Sequence, residues 1–280
     1  MNNNLINSLI DIAINEDIGD GDHSSLSCIP NNTQGKAQLL IKQDGILAGS
    51  EIAKLVFNKI DSDLKFSSFI SDGSKISYGN IVFTVEGKVQ SILKAERLVL
   101  NIMQRMSGIA TTTNIYAQRI KNYKTKVLDT RKTTPGMRVL EKLAVKTGGG
   151  ENHRMGLYDM IMLKDNHIDF AGGIKQAISK TLKYKSTLQK DIKIEIEARN
   201  ICEVEKIIAS GGVDRIMLDN FTPEETLSAV KLINGRYETE SSGGITIDTL
   251  EDYAKCGVDY ISVGALTHQI KSLDMSLKAI

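Results

Sequence analysis

Between Arg131 and Lys164 the chain places seven Lys or Arg residues against three acids, and a glycine run at 148–150 leads into His153 and Arg154. Glycines let a backbone turn tightly and come close to a ligand. A guanidinium fork binds carboxylate or phosphate through two bonds, and an ammonium adds a mobile point charge. Arg138, Glu141, Lys142 and Lys146 follow i, i+3 or i+4 helical spacing, which predicts a structural, solvated helix face. Arg131, Lys132, His153, Arg154 and Lys164 instead fall at strand ends or in the Gly-rich loop. Five such groups exceed what one monoanion needs. They fit two polyanionic ligands, or one ligand with several anionic groups.

A second anion site is expected near the C-terminus, in ESSGGI (240–245) and VGAL (263–266). Ser242, Gly243, Gly244 and Gly264 can offer a hydroxyl and backbone N–H groups to a phosphate. Glu195 and Asp219 stand at successive strand ends. Carboxylates facing phosphates point to Mg²⁺ between them or to ribose hydroxyls; the competing reading is an ion pair with Lys132 or Lys164. His167 follows Lys164 closely enough to orient it. His23 carries no such context, and His268 is a lesser candidate for the phosphate loop.

These residues need a scaffold. Six short apolar runs end in polar or small residues: 127–131, 160–165, 192–197, 215–220, 236–242 and 260–265. Helical segments separate most of them. In FTPEETLSAVKLI, Thr222 is the expected cap, Pro223 the first-turn residue and Glu225 the partner in a capping box. Strand–helix repetition predicts a parallel sheet closing toward a barrel, with functional groups at the strands' C-terminal ends. Residues 1 to about 110 read as mixed α and β. LINSLIDIAINED is expected to be a helix with Leu5, Leu9, Ile12 and Ala13 on its packing face, and AERLVLNIMQRMSGIATTTNIYAQRI a long helix with Met103 and Met106 as core filler.

The 280 residues are 41% hydrophobic and 25% charged, with net charge +1. That is globular composition with no global field for nucleic acid or an anionic membrane. No apolar run approaches the roughly 18 residues of a membrane span. The N-terminus carries acids where a signal peptide carries lysines. Cys28, Cys202 and Cys256 show no paired spacing, so a reducing cytoplasm is the expected location.

The run DTRKTTPGMRVLEKLAVKTGGGENHRMGLYDMIMLKDNHI (129–168) resembles the signature of the quinolinate phosphoribosyltransferases. EDIGDGDHSS, AERLVLNIMQRMSGIAT, KIEIE, IMLDNF, ESSGGITID and YISVGALTH follow in that family's order, across nearly the whole chain. Leu143 stands where an aromatic is common and Lys146 where an arginine is common; neither is a proposed ligand. The resemblance implies an open α/β sandwich (1–110, joined by 268–280) and an incomplete, seven-stranded α/β barrel (111–267). It implies transfer of phosphoribosyl from phosphoribosyl pyrophosphate to quinolinate, with release of pyrophosphate and CO₂, assisted by Mg²⁺. It assigns the dicarboxylate to Arg131, His153, Arg154 and Lys164, with Arg97 reaching into a neighbouring subunit's site. It assigns the phosphoribosyl and metal groups to Lys132, Glu195 and Asp219, and the phosphate loop to Ser242, Gly243 and Gly264. Lys132, Lys164, Glu195 and Asp219 are then the expected catalytic residues. A homodimer or dimer-based oligomer with shared sites follows. Three other readings fit the residues alone: a Schiff-base aldolase using Lys164 or Lys132, a silent anion-binding protein, and a phosphoribosyltransferase acting on nicotinate.

Overall fold

The structure, a computed structural model, describes residues 3–280. In chain order the elements begin with α1 (Asn3–Ile18), α2 (His23–Cys28), β1 (Gln34–Ile41), β2 (Gly45–Ile46), α3 (Ser50–Ile60), β3 (Lys65–Ser68), β4 (Lys75–Ile76), β5 (Ile81–Lys88) and α4 (Val89–Arg119). There follow β6 (Lys126–Leu128), α5 (Arg138–Thr147), β7 (Met160–Leu163), α6 (Asp165–Ala171), α7 (Ile174–Lys185), β8 (Lys193–Ala198), α8 (Ile201–Ser210) and β9 (Arg215–Asp219). The last are α9 (Pro223–Ile233), β10 (Glu238–Ser242), α10 (Leu250–Lys255), β11 (Tyr260–Ser262), α11 (Ala265–His268) and β12 (Met275–Ala279). Each of the six apolar runs read from the sequence contains one parallel strand. No helix among the described residues is long and apolar enough to cross a membrane.

Two compact units divide the chain. The first comprises residues 1–114, 133–149 and 266–280; the second comprises 115–132 and 150–265. This partition differs from the sequence expectation by giving α5 and its flanks to the first unit. That unit is built on an antiparallel sheet in the order β12-β1-β5-β3. The C-terminal strand enters it beside β1, with Leu277 opposite Leu39. α4 buries Ile92, Ala95, Val99, Met103, Met106 and Ala110 at helical spacing, the stripe that makes an amphipathic helix pack.

Two expectations fail in this unit. α1 buries Ile6 and Ile10, whereas Leu5 is 49% and Ile12 64% exposed. The helix carries two adjacent apolar stripes, and the sequence does not say which one packs. Glu141 and Lys142 of α5 are fully buried rather than solvated. Glu141 accepts from Arg105 Nε (2.7 Å) and from the Thr134 N–H (3.2 Å), which fixes the loop preceding α5. A charged helix face need not be a wet one when its partners arrive from another element.

The second unit is a parallel sheet ordered β6-β11-β10-β9-β8-β7. A single parallel bridge, Leu128 to Glu151, adds a further rung beside β6. The seven-strand expectation therefore holds only with that one-residue rung counted; six strands are of full length. Alternation in the sequence explains the two faces. In KIEIEA, Ile194 and Ile196 are buried on one face, while Glu195 and Glu197 share the other. Parallel register carries this across the sheet: Glu195 lies level with Arg215, Glu197 with Met217, and Ser242 with Asp219. Thr222 caps α9 as expected, accepting from the Glu225 N–H (3.2 Å) while Glu225 accepts from the Thr222 N–H (2.9 Å).

Candidate active site

The face lined by Glu195, Arg215 and Glu240 holds a buried cluster of charge. Glu195 and Glu240 are 0% exposed. Arg215 Nη1 lies 2.8 Å from Glu240, and its guanidinium stacks over Tyr260 at 4.0 Å. His153 enters from the loop after the Glu151 rung. Its Nε2 is 2.8 Å from Glu195 and 3.5 Å from Glu240. Its Nδ1 accepts the Arg154 N–H at 2.7 Å, and its own N–H is accepted by the buried Asp129 at 2.9 Å. Burial alone would lower the pKa of the imidazole, but its hydrogen bonds to Glu195 and Glu240 outweigh it and raise it to about 9. Burial, then the charge of Glu240, pushes the Glu195 carboxyl upward. Burial also opposes ionisation of Glu240, yet His153 and Arg215 hold it below the usual carboxylate range.

Arg154 is 8% exposed. Its pKa is lowered first by burial and next by the charge of Arg131. An anion beside Arg154 relieves that repulsion. The loop that carries Arg154 is tied down at both ends: Asp159 accepts the N–H groups of Met155 and Gly156 at 2.7 and 2.8 Å, and Arg154 Nη1 reaches the Met160 carbonyl at 3.3 Å.

Higher on the strands the charges reach solvent. Lys164, with a side chain 46% exposed, places Nζ 2.6 Å from Glu197. Glu197 also accepts the Asp165 N–H at 3.2 Å. Asp219 has its carboxyl raised by burial and then by Glu197. His167 Nδ1 accepts the Lys164 N–H at 3.0 Å, so it anchors this residue's backbone. Lys132 and Arg131 sit exposed beyond β6. Ser242 ends β10 level with Asp219, and Gly243 and Gly244 follow with φ of 101° and 61°.

The structure thus separates residues that the sequence grouped together. Glu195 does not accompany Asp219; it lies one side-chain pair deeper, against His153 and Glu240. Glu197 is the carboxylate beside Lys164 and Asp219, and sequence reasoning gave it no role. Strand alternation offered both, and only the height along β8 distinguishes them. The pair Glu197 and Asp219 fits a divalent cation: both are hard oxygen donors, and their mutual repulsion is relieved by one. Glu195 lies away from Asp219, with His153 Nε2 2.8 Å from it. Arg215 was also missed, and Glu240, one of the strand-end charges of the sequence, was given no specific role; each shares its strand's face with a rim residue.

The glycines are corrected too. A Cβ on Gly148 would meet the Ala110 carbonyl at 2.4 Å, so this glycine serves packing on α4. Gly149, at φ 93°, makes the turn. A Cβ on Gly243 would lie 2.2 Å from Asn220 Oδ1, so the close approach there is to Asn220. Gly264 opens the turn into α11. Arg97 belongs to the first unit and is exposed on α4.

A parallel α/β barrel with arginines and a lysine–carboxylate set at its strand ends defines a class of anion-handling barrel enzymes. Residues 22–107 match the family described as quinolinate phosphoribosyl transferase, N-terminal domain, and residues 109–278 match its C-terminal domain. A Nicotiana tabacum quinolinate phosphoribosyltransferase [decarboxylating] is 44% identical over 98% of this chain and 82% of its own length. A probable nicotinate-nucleotide pyrophosphorylase [carboxylating] of Bacillus subtilis is 40% identical over 99% of this chain and 94% of its own length. The solved nicotinate-nucleotide pyrophosphorylase of Francisella tularensis superimposes with a TM-score of 0.93 at 39% identity, covering 100% of this chain and 98% of that one. This chain belongs to the quinolinate phosphoribosyltransferase family.

Proposed function

We propose that this chain transfers the phosphoribosyl group of phosphoribosyl pyrophosphate to quinolinate, giving nicotinate mononucleotide, pyrophosphate and CO₂ in NAD biosynthesis. One observation carries the reading: the nearly buried Arg154 feels the charge of Arg131, beside an open Lys164–Glu197–Asp219 set. The first arrangement suits adjacent carboxylates on a flat ring. The second suits a phosphorylated sugar. The arginines orient the pyridine nitrogen toward the ribose carbon, and Lys132 with Lys164 draws charge onto the departing pyrophosphate. The new pyridinium nitrogen then stabilises the electron pair left on the neighbouring carbon as CO₂ departs, and that carbon takes up a proton.

Mg²⁺ is proposed at Glu197 and Asp219, where it would neutralise pyrophosphate charge. Ser242, the loop from Gly243 to Gly244, and Gly264 are proposed to hold the 5′-phosphate. Arg97, exposed on α4, is proposed to complete the site of a second copy in a homodimer. Mixing inactive Arg97→Ala and Lys164→Ala proteins should then restore up to about a quarter of wild-type activity, with half the dimers carrying one intact site. If subunits exchange and nothing returns, Arg97 does not act across an interface. The cysteines are all free, which fits a reducing compartment such as the cytoplasm.

Release of pyrophosphate and CO₂ with quinolinate tests the whole reading, with nicotinate as control. Turnover of nicotinate without CO₂ would replace this reading with a simpler base specificity. Borohydride trapping of a substrate on Lys164 or Lys132 would replace it with Schiff-base chemistry.

A further inference from the structure

The buried cluster lies below the groups assigned to substrate, and nothing in the proposed reaction uses Glu195, Glu240 or Arg215. We propose that these three are positioning residues: they lock the His153 ring, and through it the backbone of Arg154, in the orientation that receives the dicarboxylate. The inference rests on the reading of Arg154 as a dicarboxylate ligand.

The geometry forms a continuous chain of contacts. Tyr260 stacks on Arg215 (4.0 Å), and Arg215 holds Glu240 (2.8 Å). Glu240 and Glu195 face His153 Nε2 at 3.5 and 2.8 Å. His153 Nδ1 receives the Arg154 N–H at 2.7 Å. Asp129, at the end of β6, fixes the His153 backbone from the other side. Two strands, β8 and β10, face the ring directly, β9 acts on it through Arg215 and Glu240, and the residue after β6 holds its backbone. A small rotation of that ring moves the peptide that aims the guanidinium.

Arg215 also reaches a second carboxylate, with Nη2 3.1 Å from Glu238 and Nη1 2.8 Å from Glu240. Its guanidinium is therefore held from two sides while it holds Glu240 against the ring.

His153, Glu195 and Glu240 also form a constellation able to hold a metal ion. The 2.8 Å approach of Nε2 to Glu195 is a hydrogen-bond distance, and Arg215 already supplies the compensating cation. A proton, not a metal, is the occupant assigned here.

Glu195→Leu separates positioning from mere stability. It removes the acceptor for Nε2. The expected result is a rise of about tenfold or more in KM for quinolinate, the scale of effect when a reacting group is displaced, with KM for phosphoribosyl pyrophosphate changed less than threefold. Glu195→Gln keeps an acceptor oxygen and should return KM to within about threefold of wild type. Equal loss for both substrates, or a folded Glu195→Leu protein with wild-type KM, overturns the proposal. So does failure of the Gln variant to rescue.

A second readout needs no turnover and survives failure of the proposed reaction. In histidine-labelled wild-type protein, the His153 ring should not titrate near its ordinary value of about 6.5, and Glu240→Gln should shift its resonances. An ordinary titration, or no response to Glu240→Gln, overturns the proposal. This readout also decides the case if Glu195→Leu does not fold. Stoichiometric metal that copurifies with wild type and is absent from Glu240→Gln overturns it in favour of a metal site.

Discussion

Two glutamates two residues apart on β8 differ in almost everything that matters. Glu195 is 0% exposed and meets an imidazole and another buried carboxylate. Glu197 meets a half-exposed lysine beside Asp219. They are on the same face of the same strand, separated by one pleat. In a parallel barrel, height along the strand decides whether a charge supports the fold or faces a ligand. The deep level is nearly balanced in charge and closed. The rim is unbalanced: Arg131 penalises Arg154, and Glu197 penalises Asp219. An imbalance that costs stability is what a charged ligand can relieve.

The deep level should break first and hardest. Arg215→Met removes the guanidinium that Glu240 and Glu238 share and is expected to cost about 3–5 kcal/mol of stability, the effect of breaking a buried ion pair. Urea unfolding checks this. A loss under about 1 kcal/mol would mean that the cluster takes up a proton without strain, and the contrast with the rim would collapse. At the rim, Arg154→Lys should leave stability nearly intact and cost roughly 2–4 kcal/mol in kcat/KM for quinolinate, because a point charge cannot replace a planar fork. Wild-type kcat/KM in that variant would remove Arg154 from the site.

Gly243 and Gly244 sharpen the comparison within the rim. Gly243→Ala forces a Cβ against Asn220 at a φ of 101° and should destabilise by about 1–3 kcal/mol, whatever ligand is present. A Cβ on Gly244 meets open space, though φ is 61°, so Gly244→Ala should cost about 1 kcal/mol. Thermal unfolding of both, together with phosphoribosyl pyrophosphate affinity, tests this. If Gly244→Ala is the more damaging to stability, Asn220 is not what demands a glycine at 243.

What could be read from the sequence follows from which interactions are local. The six parallel strands, the α9 capping box and the long α4 each have a pattern within a few residues, and the structure contains all of them. The positions of Arg131, Arg154 and Lys164 followed from strand ends and a loop. Depth did not. KIEIE offers two inward glutamates with no local mark of which lies at the rim, because that depends on the register with β9 and β10. Glu141 and Lys142 look like a solvated pair for the same reason: a partner such as Arg105, 36 residues away, is invisible to helical spacing. The glycine run was legible as a special backbone, but its reason, the carbonyl of Ala110, was not.

The smallest expected effect tests whether rim and deep charges respond to acid with opposite sign. Asp219 has a carboxyl raised above its ordinary 3.8, by burial and then by Glu197. Burial also works against ionised Glu240, but His153 and Arg215 hold its carboxyl below the ordinary 4.5. A raised carboxyl weakens the fold while it is ionised, and the penalty fades as pH falls through its folded value. A lowered one supports the fold above its ordinary value, and that support is lost as pH falls below it. Asp219→Asn should therefore stabilise at pH 7, by about 0.5 kcal/mol given solvent screening at this half-buried position. The gain should shrink toward the ordinary carboxylate range, where wild-type Asp219 takes up a proton itself. Glu240→Gln should destabilise at pH 7, and its deficit should narrow as wild type loses the Glu240 contribution in acid. Urea unfolding at several values from pH 7 down to about 2, the value to which Glu240 is lowered, gives both slopes. If Asp219→Asn is destabilising at pH 7, then Lys164 or Asn220 more than offsets the repulsion from Glu197, and the rim without ligand is not strained.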